Sequence, residues 1–298
     1  MTHVLTLIAP RASRALEGEA ITRASTALPR AGAPDWLSAG EACDIPFFPD
    51  AGQSDGELAD AVRAALGHAP VDIVCQPLLM RRKHLLVADM DSTLIGQECI
   101  DEIAGFMGFK PKMAQITERA MRGEIEFEPA LRERVSLLEG LDESALQTIF
   151  DDKITLNPGA RQLARTMRAN GARTVIVSGG FTFFTARVAE AAGFDAHHAN
   201  ELEIAHGKLT GRVIEPIQGQ QAKLDALRHH RQALGLAQED TLGAGDGAND
   251  LAMLGEAGLG VAYHAKPVVA AEADTRIDHG DLTALLFAQG YRRREFAG

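Results

Sequence analysis

Two short acidic clusters, a hydroxyl beside two glycines, and one lysine are the residues here whose types and spacing could do chemistry. In Asp89-Met90-Asp91-Ser92-Thr93 two carboxylates stand two apart, so on an extended chain both face one side. One could act as a nucleophile while the other trades a proton, a division that splits a difficult displacement into two easier steps. Asp, Ser and Thr are also ordinary turn residues, so the stretch alone reads equally well as an Asx turn or helix cap. In Gly245-Asp246-Gly247-Ala248-Asn249-Asp250 two acids four apart in a glycine-rich loop suggest a hard divalent cation with oxygen ligands. Ser178-Gly179-Gly180 offers a hydroxyl and a backbone that a ligand can approach closely. Lys223 stands near an expected helix start, where the helix dipole disfavours a cation unless an anion such as phosphate is bound. Singly, a Ser-Gly-Gly turn or a lysine is an everyday loop or surface feature.

Each cluster follows an apolar segment. His84 to Ala88, Arg173 to Val177 and Thr241 to Ala244 have the pattern of parallel strands covered on both faces, and Leu259 to Tyr263 adds another. Open α/β sheets bind ligands at the carboxyl edge of their strands, which is where all the clusters would fall. The expected fold class is α/β, a Rossmann-like parallel sheet with helices on both faces. After the first catalytic strand Ile100, Ile103, Ala104 and Met107 recur at helical spacing, then Met113 and Ile116, then Leu131, Val135 and Leu138. This predicts an inserted helical cap, the usual place of a lid that excludes water.

Residues 1–82 read as strand, helix, strand, helix, strand: a small α+β unit, ACT-like in its element order, with no cluster of acids, bases or metal ligands. It is expected to serve packing or dimerisation, and the chain to be a homodimer. The predicted boundaries are 1–82 for this unit, 83–97 with 171–298 for the catalytic core, and 98–170 for the cap. Asn200 to Val213 alternates like a peripheral hairpin, and Tyr291-Arg292-Arg293-Arg294 reads as a solvated basic patch. The pairs His197-His198 and His229-His230 lack ligand spacing and are expected at the surface or in loops.

The composition, 46% hydrophobic and 24% charged over 298 residues, is that of a soluble globular protein. A formal charge of -11 argues against nucleic acid or an anionic membrane as the main partner. Cys43, Cys75 and Cys99 show no CxxC spacing, so neither a disulfide framework nor a zinc site is expected, which fits a cytoplasmic protein. No apolar stretch approaches membrane-spanning length, and no targeting segment is evident.

Asp-x-Asp-x-Thr after one strand, Ser-Gly-Gly after a second, a lysine before a helix and Gly-Asp-Gly-x-Asn-Asp after a third, in this order, resemble the haloacid dehalogenase (HAD-like) superfamily of phosphohydrolases. Glu98 and the stretch Phe127-Glu128-Pro129-Ala130-Leu131-Arg132-Glu133-Arg134-Val135-Ser136-Leu137-Leu138 extend the likeness, over about residues 84–290, to its phosphoserine phosphatases. The resemblance implies a HAD-like core and a magnesium-dependent (Mg2+) hydrolysis of O-phosphoserine through an aspartyl-phosphate, the last step of serine biosynthesis. By it Asp89 is the nucleophile and Asp91 the proton donor and acceptor. The cation would be held by Asp89, the backbone carbonyl of Asp91 and Asp246, with Asp250 reaching it directly or through water. Ser178, the amide of Gly179 and Lys223 would hold phosphoryl oxygens, Arg134 the serine carboxylate and Glu98 its ammonium, with Met121 and Phe127 shielding the pocket. Asn249 would either orient Lys223 or touch the substrate. Without the resemblance, Arg134 is a solvated helix face and Glu98 a helix N-terminal acid. A phosphatase or phosphotransferase of the same superfamily acting on another small phosphomonoester, such as phosphohomoserine, shares every core motif. A phosphorylated-aspartate switch would need neither Asp91 nor a lid.

Overall fold

The computed structural model describes residues 1–13, 15–121, 124–273 and 275–298, the side chains of 120 and 121 excepted. The first unit runs β1 (His3–Ile8), α1 (Gly18–Ala27), β2 (Asp35–Ser38), β3 (Ala42–Phe47), α2 (Asp55–Leu66) and β4 (Asp72–Pro77). Its antiparallel sheet has the order β2-β3-β1-β4. One face buries Leu5, Leu7, Ile45 and Ile73 with Ala24, Leu58 and Val62 of the two helices. α2 begins at a capping box, in which Ser54 Oγ accepts from the Glu57 amide and the Glu57 carboxylate from the Ser54 amide. The expected element order lacks β2. Only Leu37 of that edge strand is buried, which leaves no alternation for a sequence reading to catch.

The second unit continues with β5 (Leu85–Ala88), α3 (Cys99–Phe106), α4 (Lys110–Met121), α5 (Phe127–Ser136), α6 (Glu143–Lys153), α7 (Ala160–Ala169), β6 (Arg173–Phe181) and α8 (Thr182–Ala192). Then follow β7 (Ala196–Ala205), β8 (Lys208–Ile214), α9 (Gln220–Ala233), β9 (Thr241–Gly245), α10 (Leu251–Glu256), β10 (Leu259–Tyr263), α11 (Pro267–Glu272), β11 (Thr275–Ile277) and α12 (Ala284–Ala288). The seven-stranded sheet has the order β11-β10-β9-β5-β6-β7-β8 and is parallel except for β8. β5 lies at its centre. Leu86 and Ala88 join a core with Leu163 of α7 and Phe184 of α8, while Leu85 and Val87 face Leu227 of α9 and Met253 of α10. Helices on both faces are therefore why this strand carries no polar side chain.

The inserted helices leave and re-enter the sheet unit at one point, an antiparallel bridge between Ile95 and Leu156. Gln97 and Thr155 reinforce it: Gln97 Nε2 donates to Thr155 Oγ1, and the Thr155 amide donates to Gln97 Oε1. The insertion is thus shorter than the 98–170 expected. It comprises α3 to α6, and α7 packs on β6 and α8 as part of the core. The β7–β8 hairpin does more than lie at the periphery. The amides of Gly140 and Glu143 donate to Leu209 O and Gly207 O, the Leu209 amide donates to Leu141 O, and Arg132 of α5 pairs with Glu215. The hairpin is the seat on which the inserted helices rest.

Charged contacts join the two units. Arg81, held by Asp44 at 2.7 Å, donates across to Phe287 O at 3.2 Å, Arg292 meets Asp35 at 2.6 Å, and Arg293 pairs with Glu41. The expected solvated patch at 291–294 is corrected accordingly: Tyr291 is buried under the Arg82 guanidinium, 4.1 Å from its ring centre. The acids it meets lie far upstream in sequence, where no local pattern reveals them. Among the described residues no helix is long and apolar enough to cross a membrane.

Candidate active site

The chain turns immediately after β5. The amides of Thr93, Leu94 and Ile95 all donate to Met90 O, and Ser92 adopts a left-handed φ of 57°. This brings both acids of the first cluster into a cavity of about 180 Å³ at the carboxyl edge of the sheet. Glu98, Phe127, Arg134, Ser178, Gly179, Asp246 and Asn249 line the same cavity, although they come from four separate stretches of chain. The side chain of Met121 lies outside the described residues.

Asp91 is held from two sides. Its Oδ1 accepts the amide of Cys99, in the first turn of α3, at 2.9 Å, and its Oδ2 accepts Ser178 Oγ at 3.2 Å. Burial, and then the Glu98 carboxylate, push its carboxyl up to about 6. Such a group can hold a proton near neutrality and give it up. Gly180 is required here, because a Cβ would stand 2.9 Å from Asp91 Oδ2 and 3.0 Å from Ser178 Oγ. The pairing of β6 with β7 is interrupted between Val177 and Phe181, so the Ser-Gly-Gly backbone bulges out of the ladder at the cavity.

Lys223 is 2% exposed, and its Nζ lies 2.7 Å from both Asp89 Oδ2 and Asp250 Oδ1. Burial works against its charge, but the two carboxylates outweigh it and hold the ammonium above its ordinary range. They also offset the helix dipole, which explains a cation in the first turn of α9 without a phosphate. Burial pushes Asp89 upward, with the Lys223 ammonium opposing it. Asp250 Oδ2 accepts the Gly247 amide at 3.0 Å, so both its oxygens are engaged. Asp250, and not Asn249, orients the lysine; Asn249 stands on the cavity wall.

Ligand oxygens of Asp89, Asp246 and Asp250 lie within 4.8 Å of one another, and all three residues are buried. An all-carboxylate set of this kind fits a hard cation such as magnesium better than a softer metal. Asp246 accepts Thr93 Oγ1 at 3.2 Å, and burial, Asp250 and Glu98 push it up to about 6. Close acids that repel each other's ionisation are what a cation would relieve.

The cap side differs. Arg134 lines the cavity with its Nε buried and without a hydrogen-bond partner. Glu98 accepts Ser92 Oγ at 2.7 Å. Phe127, at the start of α5, rests on two glycines: a Cβ on Gly179 would stand 3.4 Å from its ring, and one on Gly219 3.3 Å. The same ring also lines a neighbouring cavity of about 880 Å³ that runs along α9.

The sequence reading missed Lys266, which lines the catalytic cavity and whose charge eases the rise of Asp246. Its signal was available, since it follows β10 at the same sheet edge as the other clusters. His198 and His230 are not independent surface residues: their Nε2 atoms lie 2.9 Å apart, across from β7 to α9.

The haloacid dehalogenase-like hydrolase model matches residues 86–255. A phosphoserine phosphatase of Archaeoglobus fulgidus is 42% identical over 248 residues, 82% of this chain and 72% of that protein. A probable phosphoserine phosphatase from Vibrio cholerae, in unliganded form, superposes with a TM-score of 0.78 at 30% identity, covering 99% of this chain and 88% of that one. The phospho-aspartyl intermediate analogue of a phosphoserine phosphatase superposes at 0.64 with 38% identity, over 69% of this chain and 98% of the other.

Proposed function

This chain belongs to the haloacid dehalogenase-like hydrolases, and from that premise we propose that it hydrolyses O-phosphoserine to serine and inorganic phosphate, closing serine biosynthesis. One observation carries the substrate. Arg134, whose Nε is buried and unpartnered, lines the same small cavity as Asp89 and Asp91, so a planar cation awaits an anion in the cavity that holds the reacting carboxylates.

In this reading Asp89 attacks phosphorus in line, and the bond from phosphorus to the serine oxygen breaks as Asp91 passes its proton to that oxygen. Asp91 then takes a proton from water, which displaces phosphate from the Asp89 acyl phosphate and regenerates both carboxyl groups. Ser178, the Gly179 amide and Lys223 stabilise charge on the phosphoryl oxygens. Magnesium would be held by Asp89, Asp246 and the Asp91 carbonyl, with Asp250 acting through water and through Lys223. When bound, it offsets the repulsion between the Asp89 carboxylate and the phosphate. Glu98 faces the substrate ammonium and Phe127 closes the cavity against water.

The βαββαβ order of the first unit supports reading it as ACT-like and as a homodimer contact, which light scattering on the eluted protein would test. The decisive assay is phosphate release from O-phosphoserine against phosphohomoserine, phosphothreonine and phosphoethanolamine. O-Phosphoserine is expected to be preferred, with loss of activity in excess chelator and recovery on adding magnesium. A stronger preference for any of the others would overturn the substrate.

A further inference from the structure

Asp72 opens β4 at the edge of the first unit and is buried. Its carboxylate crosses to the second unit. Oδ1 accepts the amides of Asp278 and His279 at 2.7 and 3.0 Å, and Oδ2 accepts that of Gly280 at 2.7 Å. Three consecutive amides on one carboxylate fix the loop after β11. A Cβ on Gly280 would stand 3.0 Å from Oδ2, so only a glycine lets the chain come so near.

Two hydrogen-bonded branches leave this loop, and both end on Asp246. In the first, the His264 ring N–H donates to Gly280 O at 2.8 Å and its amide donates to Ile277 O at 2.8 Å. His264 holds a φ of 45°, a conformation costly for a residue with a side chain, and it turns the chain so that the Lys266 amide donates to Asp246 O at 3.3 Å. In the second, the Leu282 amide donates to Pro158 O at 3.1 Å. The adjoining Asn157 Nδ2 donates to Thr93 O at 2.8 Å, and Thr93 Oγ1 donates to Asp246 Oδ1 at 3.2 Å.

We infer that Asp72 is a positioning residue for the cation site: the first unit sets the placement of Asp246 by holding the loop from which both branches start. This rests on the reading of Asp246 as a holder of magnesium. Partners one step removed from a metal ligand typically change metal affinity about 10- to 100-fold when lost.

The test is calorimetric titration of magnesium into the full chain, with thermal melting and phosphate release measured in parallel. Asp72→Asn keeps the shape but turns an NH2 group toward a backbone N–H. Magnesium affinity is expected to fall roughly threefold, less than the ~10-fold of a direct partner of a ligand because Asp72 acts through several links, while KM for O-phosphoserine at saturating magnesium stays near the wild-type value. Arg292→Ala loosens the same junction at Asp35 without touching the loop, and is expected to lower the melting temperature and keep wild-type magnesium affinity. Asn157→Ala cuts the second branch inside the second unit; it is expected to weaken magnesium binding as Asp72→Asn does, and it carries the test if that variant does not fold. Wild-type magnesium affinity in a folded Asp72→Asn or Asn157→Ala protein, or an Arg292→Ala protein weakened equally, overturns the inference. A wild-type chain that binds no magnesium and releases no phosphate overturns instead the reading on which it rests.

Discussion

The sheet side and the cap side of the catalytic cavity are built on opposite terms. On the sheet side the reacting acids and their lysine already have partners: Lys223 lies between Asp89 and Asp250, Asp91 is held by Ser178 and the Cys99 amide, and Asp246 by Thr93. On the cap side Arg134 keeps a buried N–H unmatched. A group that reacts must be fixed before substrate arrives, because reorganisation during reaction would raise the barrier. A group that selects gains most when the ligand supplies what it lacks, since a wrong ligand then leaves it buried and unpaired.

The largest effect should come from the sheet side. Asp89→Asn is expected to lower kcat by roughly three orders of magnitude or more, as for other lost nucleophiles. Near-normal turnover would place the covalent step elsewhere. Next comes Arg134→Ala. Truncating one partner of a desolvated, charge-assisted pair costs about 2 to 5 kcal/mol, so kcat/KM for O-phosphoserine should fall roughly 30-fold to several thousandfold. Phosphoethanolamine, which lacks the carboxylate, should lose far less. Equal losses on both compounds would mean that the two sides are not divided as described.

Gly219→Ala probes the line where the sides meet. Its Cβ would press on the Phe127 ring at 3.3 Å, and kcat/KM is expected to fall roughly severalfold as the ring is pushed from its place over the cavity. An unchanged rate would show that the ring yields freely.

The smallest expected effect lies outside the cavity, at His230, where burial and then the neighbouring His198 and His229 push the imidazole down from its ordinary 6.5 to about 4. Between those values the unfolded chain binds more protons than the folded one, so stability present above pH 6.5 is lost as the pH falls through 4. His230→Gln should reduce the acid-induced drop in melting temperature by on the order of 1 °C, given the exposure of the site. A larger drop in the variant would reverse the assigned sign.

Strands that end in polar clusters are legible in sequence because burial on both faces writes an unbroken apolar run, and the sheet edge then collects whatever follows. The carboxylates and Ser178 met for that reason. What could not be read is which charges meet across the chain. The lysine's partners, the Arg292 and Arg293 contacts to Asp35 and Glu41, and the hold of Asp72 on the 278–280 amides each join residues with no periodic relation. The edge strand β2 and the inner limit of the cap were missed on different grounds, one with a single buried side chain and the other a helix whose apolar spacing looks the same in lid and core. The Asp72 contact also bears on any truncation of the first unit, which would leave three amides without their acceptor.

The seating of the cap has one more outcome. β8 ends the sheet, and near its start Leu209 exchanges hydrogen bonds with Gly140 and Leu141 of the inserted segment, which take up that part of the edge. Uncovered strand edges of this kind are templates for pairing with other chains. Covering the Leu209 end of β8 therefore keeps that part of the edge from pairing with another chain.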